Sequence, residues 1–464
     1  MFLSARLSAL RAPSQRRGRR LLILAFLAIA LAFAGGASRF DEEQQAIVRL
    51  AAILALGASI WPLDFKPLAE RWGVILAAGA AYLLPLLQLI PLPPDVWARL
   101  PGHAPYAAVA SAAGAVAWRP LSLTPDLTLN ALYALLPATA GAVTALYLDS
   151  RHRIWMARAV VAIAFVSAVL GLFQVAGAGS ELHLYRITSD DAPVGLLANR
   201  NHQAALLSLA VALTGALAGL RRQDVGDPRV GLGAALALAA VLILGALSTG
   251  SRMGLLLCAL GTAGGLCAYK AAGRRLSPKR PLMKLVFAGV AVAMLVCVGL
   301  AAVRGGAVER LAHSDRIGDT RAQMIQPLMV TAKAFMPFGS GFGSFDDVYR
   351  RFEPDSLLST IYMNEAHDEP LQLAIEGGLP ALLLLAAFAA WWLWTTPRAI
   401  FGRGGSERSR SLSIAWATGT VILMASSLVD YPLRTPLLGA VFAIACVELG
   451  RASRKLSEPA APAA

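Results

Sequence analysis

The chain has 464 residues, of which 57% are hydrophobic and only 15% charged, with a net charge of +14 and a mean hydropathy of +0.59. Those values exclude a soluble domain of this length and read as a polytopic, all-α integral membrane protein. The positive balance would suit a nucleic-acid binder, but the placement of Lys and Arg along the chain assigns it to membrane topology, and no nucleic-acid partner is expected.

Arg6, Arg11, Arg16, Arg17, Arg19 and Arg20 precede the apolar run 21–37. The pattern reads as a first membrane helix with a basic cytoplasmic flank. Ala32-Phe33-Ala34 also resembles a signal-peptidase site, so a cleaved leader is the alternative. Further runs long enough to cross a bilayer lie at 44–61, 72–90, 128–148, 154–177, 202–220, 230–247, 252–269, 283–303, 371–396, 411–429 and 436–450, about twelve helices in all. With the N-terminus inside, every alternate loop is rich in Lys and Arg: Lys66 and Arg71, Arg151 and Arg153, Arg221, Arg222 and Arg229, Lys270 to Arg280, Arg398 to Arg410, and Arg451 to Lys455. The intervening short turns are poor in charge, which supports both the helix count and the orientation. The basic flanks also suit contact with anionic membrane lipids.

The chain thus divides into a basic cytoplasmic N-terminus (1–20), helices one to nine (21–303), a large outside loop (304–366), helices ten to twelve (367–450) and a cytoplasmic tail (451–464). A first outside loop, 91–127, is rich in Pro and Trp and is expected at the membrane surface. The second is too small for an independent enzyme domain and must pack on the helix ends. Within it, Thr320 would cap a helix running to Phe335, with Met324, Leu328, Met329, Ala332 and Phe335 as its apolar stripe and Pro327 bending it. Cys258, Cys267, Cys297 and Cys446 all lie in apolar runs and form no disulfide or metal spacing. No repeat relates the halves, which weakens a transporter built from inverted repeats.

Three polar turns stand where the chain enters a helix from outside: Asn199-Arg200-Asn201-His202, Ser251-Arg252, and His367-Asp368-Glu369-Pro370. Asn201, Ser251 and Asp368 are the expected caps, and Pro370 suits a first turn. Helix N-termini offer unpaired N–H groups and partial positive charge, and two of these three carry an arginine, a combination that suits a phosphate. Arg321 would add a third guanidinium. A lone arginine at a helix end also serves simply to reach lipid headgroups. At the third turn, the helix dipole favours a neutral imidazole on His367, while Glu365, Asp368 and Glu369 favour a charged one; either an interfacial cap or a proton acceptor for a sugar hydroxyl is compatible. Gln372 and Glu376 follow one helical turn apart, and Glu376 must face the protein interior, where a structural role is favoured over chemistry. The stretch 339–345 is Gly-rich but lacks the features of a nucleotide loop and reads as a tight turn. Asp346-Asp347 and Asp190-Asp191 are adjacent pairs without metal-binding spacing. The turn Asp430-Tyr431-Pro432-Leu433-Arg434 reads as the rim of a site or an ion-paired hairpin.

At these residues the sequence resembles the bacterial O-antigen ligase and O-antigen polymerase superfamily. The resemblance rests on Asn199-Arg200-Asn201-His202, Thr249-Gly250-Ser251-Arg252, Arg321 followed by the turn 337–345, Ala366 to Gln372, and Glu376-Gly377-Gly378-Leu379-Pro380. It implies a GT-C-like, membrane-embedded glycosyltransferase that works without metal or other cofactor and inverts the anomeric carbon. Such an enzyme would move a glycan from an undecaprenyl-diphosphate-linked donor to a lipid or glycan acceptor, such as lipid A-core, at the periplasmic face of the inner membrane. His367 and Arg252 would be catalytic. Arg200 and Arg321 would hold the diphosphate, with Asn199, His202, Ser251, Glu369 and Glu376 completing the substrate site. Ligase members commonly carry Asn where this chain has Glu369. A polymerase joining lipid-linked repeat units, a transferase acting on a protein acceptor, and, from another class, a polysaccharide or lipid transporter are the rival readings.

Overall fold

The computed structural model describes residues 13–39, 42–61, 65–69, 72–149, 152–178, 182–189, 192–220, 228–273, 316–358, 363–402 and 405–455. The expected span 283–303, the Asp190-Asp191 pair, Cys297 and many of the basic loop residues named above lie outside them. The main helices are α1 (Pro13–Ala34), α2 (Gln44–Ile60), α3 (Trp72–Gln88), α4 (Pro125–Ala134), α5 (Leu136–Tyr147), α6 (Ile154–Phe173), α7 (Arg200–Leu220), α8 (Pro228–Ser248), α9 (Arg252–Ala271), α10 (Arg316–Phe335), α11 (Glu369–Phe401), α12 (Glu407–Ser426) and α13 (Pro436–Lys455). The extended structure described is one pair of two-residue strands, β1 (Pro91–Leu92) and β2 (Arg119–Pro120), paired antiparallel. Among the described residues, seven helical stretches are long and apolar enough to cross a membrane: α4 with α5, α6, α7, α8, α9, α11 and α13. The chain is therefore an all-α, multi-pass membrane protein. α1 opens on a polar turn, α2 and α3 are short, α12 opens on charged residues, and the expected span 283–303 lies outside the described residues, so the count of twelve is not tested on length and composition.

α7 is the axis of the bundle. Its sequence is apolar around most of its circumference, and residues from His202 to Leu213 are buried without a break. α9 runs parallel to it. A Cβ on Gly254 would lie 2.8 Å from Ala204, one on Gly261 would lie 2.1 Å from the Ser208 carbonyl, and one on Gly215 would strike the Gly265 backbone. The small residues thus let two backbones touch along their length, the packing that helices use where lipid supplies no hydrophobic contrast. With α8 returning between them, α7 and α9 begin at the same end of the bundle.

At the opposite end, basic side chains hold the helix termini. Arg451 donates to the Ala145 carbonyl at 2.6 Å and to that of Leu146, satisfying the last turn of α5. Arg153 Nε lies 2.6 and 2.8 Å from the two carboxylate oxygens of buried Glu448. Arg19 donates to the Trp61 carbonyl at 2.7 Å, at the end of α2.

The two long loops pack together. Trp97 and His103 are buried, with Trp97 Nε1 donating to the Pro120 carbonyl at 2.7 Å. Leu123 N donates to the Ser340 carbonyl, and Thr128 Oγ1 to that of Phe342. The first loop is therefore seated on the second. A separate core forms there from Leu328, Ala332, Phe335, Phe345, Val348 and Tyr349, closed by Ala374 and Ile375 of α11. α10 begins four residues before the expected cap at Thr320. Its buried stripe runs through Leu328, Thr331, Ala332 and Phe335, while Met329 is 45% exposed and faces away.

Candidate functional site

Three chain segments converge at the end where α7 and α9 begin. The first is the turn into α7. Asn199, not the expected Asn201, caps this helix: its Oδ1 accepts from Asn201 N at 2.7 Å and its carbonyl from Gln203 N at 3.0 Å. That leaves both amide side chains able to donate elsewhere. The second is the turn into α11, where Asp368 caps by accepting from Leu371 N at 2.9 Å. The third is the turn 430–435 between α12 and α13, which carries the residue that joins the other two.

Asp430 is fully buried. Its Oδ2 accepts from Asn201 Nδ2 at 2.7 Å and Asn199 Nδ2 at 3.2 Å. Its Oδ1 accepts from Tyr431 N at 3.0 Å and faces His367 Nδ1 at 3.2 Å. His202 Nε2 approaches the same oxygen to 3.8 Å. Burial alone would raise the proton affinity of this carboxyl, but the His202 and His367 rings beside it outweigh that and hold it well below the usual carboxylate range. Because the ionised carboxylate only accepts, His367 Nδ1 is the donor, and the lone pair of a neutral ring is left on Nε2. The His367 side chain is 26% exposed, so that nitrogen has access to the site. His367 is also the one described non-glycine residue with positive φ (+50°), a conformation that costs free energy and that its surroundings must hold.

Those neighbours serve a different centre. Arg434 lies 3.4 Å from Glu365, 3.0 Å from Glu369 and 3.3 Å from Glu376. Gln372 ties the group together: its Nε2 donates to Glu365 and, at 3.2 Å, to Glu376, while its Oε1 accepts from Ala366 N at 2.9 Å. Burial lowers the proton affinity of Arg434, but Glu365, Glu369 and Glu376 more than reverse this. One guanidinium does not neutralise three carboxylates, and burial pushes Glu365 up to about 7, with Glu376 and Glu369 adding to the push against Arg434 and Gln372. Asp430 and Arg434 are therefore not the ion-paired hairpin that their spacing suggests: each is committed to a separate cluster.

Below this cluster α11 breaks. Gly378 has φ +60° and ψ −151° in the middle of the helix. The freed backbone groups are taken up by the Gly-rich turn, with Ser340 N donating to the Ile375 carbonyl, Gly341 N to that of Glu376, and Leu379 N to that of Pro337. Gln88 of α3 donates to the Glu376 carbonyl at 2.9 Å and accepts from Phe342 N at 3.0 Å. Fully buried Glu376 also accepts from Phe345 N at 3.4 Å. Glu376 thus holds the loop and Arg434, the structural role that its sequence position favours. His202 is likewise 1% exposed and stands behind the site. Buried Ser251 caps α9 through Gly254 N at 3.0 Å instead of facing the site. Glu369 is engaged by Arg434.

Arg252 is exposed on the first turn of α9, and Arg200 is half-buried on the first turn of α7. Arg321 falls within α10, but its side chain lies outside the described residues. Arg39, which no motif singles out, also reaches this end, where its charge acts on the Tyr431 hydroxyl. It is delivered by the exit from α1. Gly35 O accepts from Leu437 N at 2.9 Å and Gly36 O from Ala198 N at 3.0 Å, while Gly36 N donates to Tyr185 Oη at 2.6 Å. A Cβ on Gly36 would lie 2.1 Å from the Leu196 carbonyl, so this close approach requires glycine. Tyr431 packs against both the His202 and His367 rings, with centroids 5.4 and 4.9 Å away.

The arrangement therefore offers a proton acceptor oriented by a buried carboxylate, beside helix starts that carry arginine. No curated protein matches the chain. Residues 234–386, from α8 into α11, match the family model described as O-antigen ligase.

Proposed function

We propose that this protein is an O-antigen ligase-like glycosyltransferase. It takes a glycan from undecaprenyl diphosphate and transfers it to an acceptor hydroxyl, of lipid A-core or a similar terminal acceptor, on the periplasmic face of the bacterial inner membrane. The observation that carries the reading is the His367–Asp430 pair, 3.2 Å apart, in a chain whose matched family handles such glycans. His367 Nε2 takes the proton of the acceptor hydroxyl as its oxygen attacks the anomeric carbon. The bond from that carbon to the phosphate oxygen breaks, and undecaprenyl diphosphate departs from the opposite face, inverting the centre. Arg252 and Arg200, with Arg321, hold the diphosphate and take up the negative charge that grows on it. Asp430 stays ionised and keeps His367 in the donor-at-Nδ1 tautomer, as a carboxylate does behind a general-base histidine.

The test is reconstitution of the purified protein in vesicles with a lipid-diphosphate glycan and candidate acceptors. Release of undecaprenyl diphosphate with a glycosylated acceptor is expected, and the doubly substituted Arg252→Ala, His367→Ala protein is expected to lose it. Turnover that survives both substitutions overturns the site assignment. Growth of the chain on a second lipid-linked unit identifies a polymerase instead, and passage of uncleaved donor across the bilayer identifies a transporter.

A further inference from the structure

His202 is fixed on one side and reaching on the other. Its Nδ1 lies 2.9 Å from Thr435 Oγ1. Its Nε2 is buried without a hydrogen-bond partner and points at Asp430 Oδ1 from 3.8 Å, toward the same oxygen that anchors His367. A threonine hydroxyl donates or accepts, whereas an ionised carboxylate only accepts. The tautomer with favourable contacts on both sides has its proton on Nε2, aimed at Asp430, and Nδ1 accepting from the Thr435 hydroxyl. The other tautomer would direct a lone pair at a buried negative charge.

We propose that His202 is a positioning residue for the transfer reaction: locked by Thr435 in the Nε2–H tautomer, it is a reserve donor to Asp430 Oδ1. It holds that carboxylate in place while His367 gains and loses the acceptor proton. When His367 is charged, its own N–H dominates Oδ1. With His202 Nε2 held 3.8 Å from the same oxygen, the carboxylate does not turn away through that cycle. The groups facing Asp430 are Asn199, Asn201 and His202 from the start of α7, His367 from the turn into α11, and Tyr431 from its own turn. Arg39 and Glu365 act on Tyr431 from farther off. The proposal rests on His367 acting as the base.

Three variants and one spectroscopic measurement on the reconstituted full chain separate this role from simple packing. His202→Gln extends its amide to where Nε2 stood and can donate to Asp430. His202→Asn reaches only the Thr435 side, and Thr435→Val keeps the shape but removes the tautomer lock. His202→Asn and Thr435→Val are expected to lower kcat about 10- to 100-fold, the scale of a displaced catalytic group, with little change in KM, while His202→Gln retains most of kcat. Nitrogen-15 labelling resolves the six histidines of the chain. One is expected to carry its proton on Nε2 and to lose that preference in Thr435→Val. Equal kcat for His202→Gln and His202→Asn, or a proton on Nδ1 of His202, overturns the proposal. If one substitution at 202 fails to fold, Thr435→Val and the labelled spectrum still decide. A His367→Ala protein that stays active sinks the underlying reading. An inactive His367→Ala beside an unimpaired Thr435→Val sinks only the role of His202.

Discussion

His367 and Asp430 meet through Nδ1 and Oδ1 at 3.2 Å although they stand 63 residues apart in the chain. Asp430→Asn tests what that contact supplies. An amide has one acceptor and one donor end, yet the native carboxylate receives N–H groups on both oxygens: Asn199 and Asn201 on one, Tyr431 and His367 on the other. Either orientation of the new amide opposes donor to donor. The expected cost is about 1–3 kcal/mol of stability from the unsatisfied contact. Loss of the oriented base would lower glycan transfer by about 10²–10⁴-fold. Thermal unfolding in detergent and release of polyprenyl diphosphate in vesicles measure the two effects. Unchanged kcat in a folded Asp430→Asn protein would remove Asp430 from the mechanism.

How far this site can be read from sequence follows from how local each contact is. Ser251 and Asp368 are visible as caps because the N–H groups they accept from lie three residues on. Asn199 and Asn201 both fit a cap, and only the fold shows that Asn199 takes that place and that both amides turn to Asp430. For His367 the nearby acids mislead. Glu365 and Glu369 are close in sequence, but they answer to Arg434, while the His367 ring meets Asp430. The i,i+4 spacing of Asp430 and Arg434 suggests a local pair, where the chain builds two clusters. A useful signal was present: a lone acid followed by Tyr and Pro in a short turn between apolar helices is costly unless it is spoken for from outside the turn. Arg39 carried no such signal, because the Gly35–Gly36 contacts that deliver it are all between segments distant in sequence. The apolar runs, by contrast, became helices wherever they are described, since hydropathy and length are properties of the segment itself.

Glu365 gives the protein a pH dependence of definite sign. Its carboxyl is raised from 4.5 to about 7 in the folded state, by burial first and by the neighbouring Glu376 and Glu369 carboxylates. Between those values the folded chain binds more protons than the unfolded one, so stability falls as pH rises through that window. The midpoint of thermal unfolding is therefore expected to drop from about pH 5 to about pH 7 in the native protein and to drop less in Glu365→Gln, which carries no proton to lose. A slope that is identical in the two proteins would show that another group is responsible.

Arg434 is the sole described cation among Glu365, Glu369 and Glu376, and its side chain is 25% exposed. Arg434→Met leaves three carboxylates facing one another. Breaking a largely buried ion cluster by removing one partner costs about 3–5 kcal/mol, most of it from the charges left behind. The variant is expected to express poorly and to unfold at lower temperature, and adding Glu376→Gln is expected to recover part of the loss. A double variant no more stable than the single one would mean that Arg434 acts through packing and not through charge.

The break in α11 ties the loop to the site, and Gly378 is its weakest point. The backbone there, φ +60° and ψ −151°, lies in a region that essentially only glycine occupies, so a side chain costs about 1–3 kcal/mol in strain alone. A Cβ would also stand 2.3 Å from the Pro337 carbonyl oxygen and 2.6 Å from Gly339 N. Both are backbone atoms without freedom to move aside, because the same turn gives Ser340 N and Gly341 N to the carbonyls of Ile375 and Glu376. Gly378→Ala must therefore either lift the turn off α11 or shift the residues just before it. Those residues are Gln372 and Glu376, which hold Glu365 and Arg434 at the foot of the His367 turn. The substitution is expected to lower the unfolding temperature and to abolish transfer together. Leu379→Ala, one residue on and 48% exposed, is expected to spare both. Full transfer by Gly378→Ala with an undiminished unfolding temperature would show that the docked turn and the broken helix are not coupled to the site.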